Sequence, residues 1–266
     1  MSEFDVGSKC LKLEQDGPLL WCTIDRPHAR NAFTPAMYFG IKRAVRLVND
    51  SGNDLRALIL TGTGDVFAPG GDLGGRYEPD DEKVPSGLTY ETLPFIAIRE
   101  SMAPVISAVN GICQAGGLLV AMMSDIAVVS ERASFRVPEL LRGIVDATYA
   151  AVLPAHVGMA RARDLLLSAR TIDAAEAHQI GLVSRIVSHD QLRAEAREAA
   201  VQILRTAPEA RAHVKRMLNQ QYAQIDYETM FASLAHGQEV REGMRSFMEK
   251  RQPNWIPQDL QAIADK

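Results

Sequence analysis

Cysteine is scarce in this sequence, which has three among its 266 residues. Cys10, Cys22 and Cys113 include no C-x-x-C pair, and their number is odd. Disulfide frameworks need paired cysteines and structural zinc sites need closely spaced ligands, so neither is indicated. Such cysteine usage is typical of a reducing compartment, and we expect a cytoplasmic protein.

The chain also lacks an excess of basic residues, because its formal net charge is −4 at pH 7. Non-specific binding of nucleic acid needs a basic surface, so nucleic acid is not expected as a partner. The opening residues, MSEFDVGSKC, lack the charged-then-apolar plan of a signal peptide. Residues 101–124 carry no formal charge, yet Pro104 and several glycines interrupt them. We therefore predict a buried strand, turn and helix there instead of a membrane span.

Several catalytic and nucleotide-binding motifs are missing: the P-loop, H-E-x-x-H and G-x-S-x-G. Gly62 and Gly64 follow a predicted strand, but the third glycine and the acidic residue of a dinucleotide fingerprint are absent. The six histidines are scattered, and His178 and His213 fall on predicted helices, where a surface or packing role is expected. The sequence therefore predicts neither a dinucleotide site nor a metal site.

Predicted strands and helices alternate through the larger part of the chain. The strands cover residues 19–25, 55–61, 104–109 and 125–130. Helices are expected from Pro35, over residues 89–101 and from the pair Gly116-Gly117, with a charged surface excursion at residues 76–87. This alternation predicts an α/β fold. Residues 190–249 indicate helices almost throughout, packed on the core or on another subunit.

Two loops with adjacent glycines, residues 67–72 and 110–117, each follow a predicted strand. Glycine costs a helix roughly 1 kcal/mol relative to alanine, so a pair that opens a helix needs a reason. Parallel strands would bring both loops to one edge of the sheet, where two backbone N–H groups could form an oxyanion hole. The alternative is that these glycines serve only turns and packing.

Six segments, in order along the chain, resemble the crotonase (enoyl-CoA hydratase/isomerase) superfamily. They are residues 24–32, 67–72, 104–117, 134–140, 174–183 and 241–253. The resemblance implies an enzyme with an α/β fold, in which a spiral of β-β-α turns occupies residues 1–190 and holds an acyl-CoA site. It also implies a C-terminal helical region, residues 191–266, that makes the contacts of a homotrimer or a dimer of trimers. No cofactor is expected beyond the CoA moiety of the substrate.

The resemblance further assigns roles to individual residues. The backbone N–H groups of Gly71 and Gly116 would hold the thioester oxygen, while Gly117 would let its helix approach closely. The residues that would line the substrate are Arg26, Ala29, Arg30, Ala68, Gly70, Asp72, Leu73, Leu119 and Lys250. Lys250 is similar to a residue that reaches a CoA phosphate, although a solvated helix end would also carry a lysine.

One departure from the family pattern bears on the chemistry. Hydratases of the family carry two glutamates that position and activate water, and the first of these positions is Leu119 here, whereas Glu139 stands at the second. A hydrocarbon side chain cannot move a proton, so double-bond isomerisation with Glu139 as acid and base is favoured. Beside Leu119, the Glu139 carboxyl is expected to be desolvated, with a raised pKa. Alternatively, Glu139 merely opens a helix after Pro138.

Asp146 leaves two further readings open. It could act with Glu139 as the second acid of a hydratase, or it could cap a helix that begins near Ala147, and capping is favoured. A third possibility is a non-catalytic protein that binds acyl-CoA, which the missing carboxylate at Leu119 would explain. The presence of Gly71, Gly116 and Glu139 together argues against it.

Overall fold

A computed structural model describes residues 4–52, 54–74, 78–84 and 92–257 of the chain. The strands are β1 (Leu11–Asp16), β2 (Leu19–Ile24), β3 (Ala57–Gly62), β4 (Val66–Ala68), β5 (Val105–Val109), β6 (Ile112–Gln114), β7 (Ile126–Ser130), β8 (Ser134–Arg136), β9 (Ile172–Asp173) and β10 (Arg185–Val187). The helices are α1 (Pro35–Asp50), α2 (Phe95–Glu100), α3 (Ala115–Met123), α4 (Ala147–Val157), α5 (Met159–Ser168), α6 (Ala174–Gln179), α7 (Leu192–Leu204), α8 (Pro208–Asn219), α9 (Tyr227–His236) and α10 (Gln238–Glu249).

The strands form two sheets, and successive strands from β3 to β8 alternate between them. The larger has the order β1-β2-β3-β5-β7-β10 and the smaller has the order β4-β6-β8-β9. Three successive units place one strand in the larger sheet and the next in the smaller before a helix follows: β3 and β4 with α2, β5 and β6 with α3, β7 and β8 with α4. The predicted spiral of β-β-α turns is confirmed.

The central strands β2, β3 and β5 of the larger sheet are buried on both faces. Successive side chains of a strand point to opposite sides, and in β2 Leu20 and Cys22 enter the main hydrophobic cluster while Leu19 and Trp21 enter a second one. The second cluster is completed by α7, through a stripe of small and apolar side chains: Leu192, Ala196, Ala199 and Ala200. The helical region thus begins as a layer of this core, while the predicted boundary between residues 190 and 191 stays a prediction.

Local sequence signals account for the best-predicted elements. The Thr34 hydroxyl accepts a hydrogen bond from the Met37 N–H, and Pro35 opens α1, so the predicted helix start is confirmed. The predicted strands at residues 19–25, 55–61, 104–109 and 125–130 are confirmed with small differences at their ends. The short strands β4 and β6 were missed, because three residues are too few to establish an alternating pattern.

Two predicted segments are described only in part. Of the helix expected over residues 89–101, α2 is present, and residues 85–91 lie outside the described residues. Of the excursion at residues 76–87, Pro79–Lys83 forms a 3-10 helix in which the Asp81 carboxylate accepts a hydrogen bond from Ala36 N–H. The described part of the excursion is therefore attached to the first turn of α1.

Within residues 4–52, 54–74, 78–84 and 92–257, no helix has both the length and the apolar composition that crossing a membrane requires.

Candidate active site

The two glycine loops, residues 67–72 and 110–117, lie against each other. The parallel strands β4 and β6 pair Val66 with Ile112 and Ala68 with Cys113. A Cβ placed on Gly70 would lie 2.5 Å from the Ala115 Cβ and 3.4 Å from the Gly116 nitrogen. Gly70 also has a φ of +106°, a left-handed conformation that favours glycine. The prediction that the glycine loops meet at one place is confirmed.

The N–H of Gly71 is directed by a short pairing with Phe33. The Phe33 N–H donates to the Gly70 carbonyl at 2.8 Å, and the Asp72 N–H donates to the Phe33 carbonyl at 2.9 Å. These bonds bracket Gly71, which forms a parallel bridge with Phe33. In such a bridge the N–H of the central residue points away from its partner. The Gly71 N–H therefore faces the side opposite Phe33.

Gly116 lies in the first turn of α3, where backbone N–H groups have no partner within the helix. A Cβ on Gly116 would lie 2.2 Å from the Tyr38 Oη, and one on Gly71 would lie 3.7 Å from the same atom. The two predicted oxyanion glycines thus border one hydroxyl group. A Cβ on Gly117 would lie 2.2 Å from the Ala68 carbonyl oxygen, which confirms the close helix approach predicted for Gly117.

Tyr38 was missed by the sequence analysis. Its side chain is only 4% exposed and lies on the buried face of α1, in ring contact with Phe33 and Phe95. The one available signal was a hydroxyl-bearing residue among the apolar side chains of that face, such as Met37 and Ile41. The structure gives Gly116 a second reason to be glycine, because Tyr38 occupies the space of a side chain there.

The acid segment, residues 138–146, provides the ionisable groups. Glu139 begins a 3-10 helix, Glu139–Arg142, that ends at Gly143 with a φ of +67°. The Glu139 carboxyl is buried, and its Oε2 has no hydrogen-bond partner among the described residues. Burial, with a smaller contribution from the negative charge of Asp146, raises the pKa of Glu139 to about 8. The predicted desolvation and raised pKa are confirmed.

Asp146 caps α4, as predicted. Its Oδ1 accepts hydrogen bonds from Thr148 N–H at 2.9 Å and from Tyr149 N–H at 3.1 Å. Burial raises the pKa of Asp146, while these hydrogen bonds oppose the rise. Asp146 is therefore a helix cap whose charge also acts on Glu139.

Two tyrosines connect the acid segment with the glycine loops. Burial raises the pKa of Tyr38 and of Tyr149, and the charges of Glu139 and Asp146 raise both further. Tyr38 borders the glycines, and the Tyr149 hydroxyl donates to the Ala115 carbonyl at 2.7 Å. The carboxylates and the backbone N–H groups therefore belong to one site.

Arg26 has a buried side chain, and its predicted contact with CoA stays a prediction. Its guanidinium is fully buried, with Nη1 at 2.7 Å from Asp72 Oδ2 and Nε at 2.8 Å from Glu78 Oε1. Another bond runs from Nη1 to the Ala32 carbonyl at 3.1 Å. These contacts use the charge of Arg26 to brace the chain next to Gly71, so the side chain does not offer an exposed charge to CoA.

The remaining predicted lining residues fall into two groups. Ala68 and Leu119 are buried beside the glycines, whereas Ala29 and Leu73 are partly exposed. The exposed side chains are Arg30, which follows the 3-10 helix Pro27–Ala29, and Lys250, which follows α10. The contacts of all these residues with CoA stay predictions. Among the described residues, no group of three His, Cys, Asp or Glu side chains could hold a metal ion.

The C-terminal helix α10 packs directly on the acid segment. A Cβ on Gly143 would lie 2.5 Å from the Glu239 backbone, and one on Gly243 would lie 2.4 Å from the Arg142 backbone. The Arg142 guanidinium lies 4.3 Å from the centre of the Phe247 ring. This reciprocal glycine contact was not anticipated, since nothing in the letters pairs residues so far apart.

Comparison with known proteins gives concordant matches. The family model described as enoyl-CoA hydratase/isomerase matches residues 14–258. The mevalonyl-coenzyme A hydratase sidH of Aspergillus fumigatus is 34% identical over 253 residues, covering 91% of this chain and 93% of the relative. The carnitinyl-CoA dehydratase of Salmonella heidelberg is 34% identical over 263 residues, covering 93% of this chain and 98% of the relative.

A solved structure shows the same fold. The enoyl-CoA hydratase/isomerase of Pseudoalteromonas atlantica superposes with a TM-score of 0.79 at 31% identity, covering 93% of this chain and all of that one. The similarity therefore extends through both sheets and the helices that carry the site.

Proposed function

The chain belongs to the enoyl-CoA hydratase/isomerase family, within the crotonase superfamily, and from that premise we propose that it isomerises the double bond of an enoyl-CoA thioester. Acyl-CoA chemistry of the lyase or isomerase type follows from the family. The choice of isomerisation depends on one observation: Glu139 has a buried Oε2 without a hydrogen-bond partner among the described residues, near the tyrosine that borders Gly71 and Gly116. This carboxyl is suited to accept and return a proton.

The other candidates for a second acid support this choice. Leu119, at the position of the first hydratase glutamate, is 2% exposed and packs in the main hydrophobic cluster. Asp146 uses Oδ1 to cap α4. Hydration requires groups that orient and activate a water molecule, whereas isomerisation requires one group that moves a proton between two carbons. Within the described part of the site, Glu139 meets the second requirement.

The proposed mechanism has two proton transfers. The Glu139 carboxylate removes a proton from C2 of a 3-enoyl thioester, and the electron pair moves through the carbonyl carbon onto the thioester oxygen. The N–H groups of Gly71 and Gly116 stabilise that oxygen, a contribution on the order of 3 kcal/mol per donor in comparable sites. Collapse of the dienolate returns the proton from Glu139 to C4, which leaves the double bond between C2 and C3. Glu139 ends as the carboxylate from which it started.

Hydration or dehydration is the second candidate. It is favoured by the charge of Asp146, which lies close enough to raise the pKa of Glu139, and by the names of the two relatives at 34% identity. In this reading Glu139 and Asp146 would share the water that the missing glutamate would otherwise hold.

The deciding experiment incubates the protein with a panel of 2-enoyl- and 3-enoyl-CoA thioesters in heavy water, followed by mass spectrometry. Isomerisation shifts the double bond without adding the mass of water, and deuterium enters at C4 when the Glu139 carboxyl exchanges its proton with solvent before returning it. A product heavier by one water would replace the proposal with hydration. No change and no α-proton exchange across the panel would point to a protein that only binds acyl-CoA.

For the C-terminal helices we propose the self-association that the family resemblance implies, as a homotrimer or a dimer of trimers. Exposed apolar side chains on α8 and α10 support this, with Met217 65%, Leu218 64% and Met248 64% exposed. Analytical ultracentrifugation of the full chain tests it, and a monomer at micromolar concentration would contradict it.

A further inference from the structure

We propose that Tyr149 is a positioning residue that fixes the Ala115–Gly116 peptide and strengthens its N–H as a hydrogen-bond donor to the substrate. The inference deepens the proposed function and rests on it, because it assumes that the Gly116 N–H contacts the thioester oxygen. Tyr149 does not itself touch the substrate in this proposal. It acts through the peptide group.

The first observation is the hydrogen bond itself. The Tyr149 hydroxyl donates to the Ala115 carbonyl oxygen at 2.7 Å. That carbonyl and the Gly116 N–H belong to one planar peptide unit, in which the C=O and N–H point in opposite directions. A donor on the carbonyl side therefore fixes the direction of the N–H on the other side. Hydrogen bonds in such a chain polarise one another, so the N–H also becomes a stronger donor.

The second observation is the backbone of Ala115. Its φ is +48°, which is left-handed and unfavourable for a residue with a Cβ. Strained residues of this kind persist where their surroundings hold them in place. Ala115 is held by the Tyr149 hydroxyl on its carbonyl and by Gly70 against its Cβ. The Gln114 side chain makes no capping hydrogen bond at this helix start, so Tyr149 supplies a restraint that an ordinary cap does not.

The third observation is the rigidity of Tyr149. Its side chain is fully buried, and its backbone N–H donates to the Asp146 cap of α4. Burial, together with the charges of Glu139 and Asp146, raises the pKa of the Tyr149 hydroxyl, so the group stays protonated and remains a donor. Hydrogen bonds thus link three groups in one series: Asp146, Tyr149 and the Ala115–Gly116 peptide, which lies at the site.

The test compares Tyr149→Phe with Tyr222→Phe in the full-length protein. Each substitution removes one hydroxyl, and that of Tyr222 shares a hydrogen bond with His156 Nε2 at 3.2 Å, outside the series just described. Two readouts are used: kcat and KM for the isomerisation, and the carbonyl ¹³C chemical shift of bound [1-¹³C]butyryl-CoA. The carbonyl shift reports polarisation of the thioester, which a merely structural tyrosine would not alter.

We expect Tyr149→Phe to lower kcat about 10-fold with KM within about 2-fold, less than removal of an oxyanion donor itself causes. It should also diminish the change in carbonyl shift on binding, while Tyr222→Phe leaves both readouts unchanged. Wild-type kcat and carbonyl shift in a folded Tyr149→Phe protein would overturn the inference and leave the proposed function intact. A wild-type protein with no turnover and no carbonyl shift would overturn both.

If Tyr149→Phe does not fold, 3-fluorotyrosine placed at position 149 gives an independent measurement. Fluorine makes the hydroxyl a stronger donor and retains its shape, so a larger carbonyl shift is expected. An unchanged carbonyl shift would overturn the inference.

Discussion

The glycine loops and the acid segment form the two sides of the site in contrasting ways. The glycine loops present backbone N–H groups, which carry no formal charge and are fixed by strand pairing and by contacts with Phe33 and Tyr38. The acid segment presents two side-chain carboxyls, Glu139 on a 3-10 helix and Asp146 at the start of α4, and burial raises the pKa of both. In the proposed mechanism, one side therefore stabilises charge without titrating, and the other moves protons and responds to pH.

This difference implies that substitutions on the two sides should impair different steps of the proposed reaction. Damage to the glycine loops should impair stabilisation of the thioester oxygen at every pH. Damage to the acid segment should impair proton transfer and change the pH dependence. The following predictions test that separation, beginning with the largest expected effect.

Glu139→Gln should reduce exchange of the substrate α-proton by about 10²-fold to 10⁴-fold, the range for loss of a general base. Its KM should change little, because the amide retains the shape of the carboxyl. Deuterium incorporation measured by mass spectrometry gives the rate. The matched control is Glu131→Gln, an exposed carboxylate in the turn between β7 and β8. Equal losses in both variants, or none in Glu139→Gln, would contradict the role of Glu139.

Gly116→Ala should lower kcat on the order of 10²-fold, because the new Cβ would lie 2.2 Å from the Tyr38 Oη and displace the donor. Adding Tyr38→Phe removes the contacted oxygen and should restore part of the activity. In Gly117→Ala the Cβ would instead meet the Ala68 backbone, so the loss should appear in stability, by about 1–3 kcal/mol.

Denaturant unfolding and kcat, measured on the same preparations, separate these two glycine effects. A Gly116→Ala protein as active as wild type would remove the argument for a donor at that position.

The pH dependence should come from the acid side alone. The pKa of Glu139 is raised to about 8, so kcat/KM should rise as pH increases towards 8 and the carboxylate forms. Stability should fall over the same interval, because between the unfolded pKa near 4.5 and about 8 the folded state binds more protons. Chemical denaturation from pH 5 to 8 should show this slope, reduced in Glu139→Gln and retained in Gly116→Ala. An unchanged slope in Glu139→Gln would contradict the assignment.

Substitution of Asp146 should have the smallest effect on activity and stability. Asparagine can replace its capping oxygen, whereas Asp146→Ala should lose about 1 kcal/mol of stability. Asp146→Asn removes a negative charge beside Glu139, so the pH–rate profile should move to lower pH with isomerisation retained. Loss of a hydration activity in Asp146→Asn would instead favour the two-acid reading.

The sequence was sufficient for the features that depend on local pattern. Thr34 and Pro35 indicate a helix start, and Asp146 indicates another. The apolar residue expected beside Glu139 predicts a raised pKa for its carboxyl. The meeting of the glycine loops followed from the parallel order of strands. These predictions succeed because each depends on neighbours in the chain or on a general rule of sheets.

Contacts between distant segments could not be predicted in the same way. The Tyr38 hydroxyl lies beside Gly116 only because α1 packs under both loops. Burial of the Arg26 guanidinium depends on its ion pairs with Asp72 and Glu78, which lie far from it along the chain. Such positions are set by the way helices and loops pack together, which the sequence pattern does not report.

The contact of Gly143 and Gly243 with opposing backbone has a consequence for biosynthesis. The acid segment packs against α10, which leaves the ribosome long after Glu139 does, whereas every contact described for the glycine loops comes from residues made before α10. Folding during translation proceeds from the N-terminal side. The nascent chain is therefore expected to complete the glycine loops first, and to acquire a correctly placed Glu139 carboxyl only near the end of synthesis.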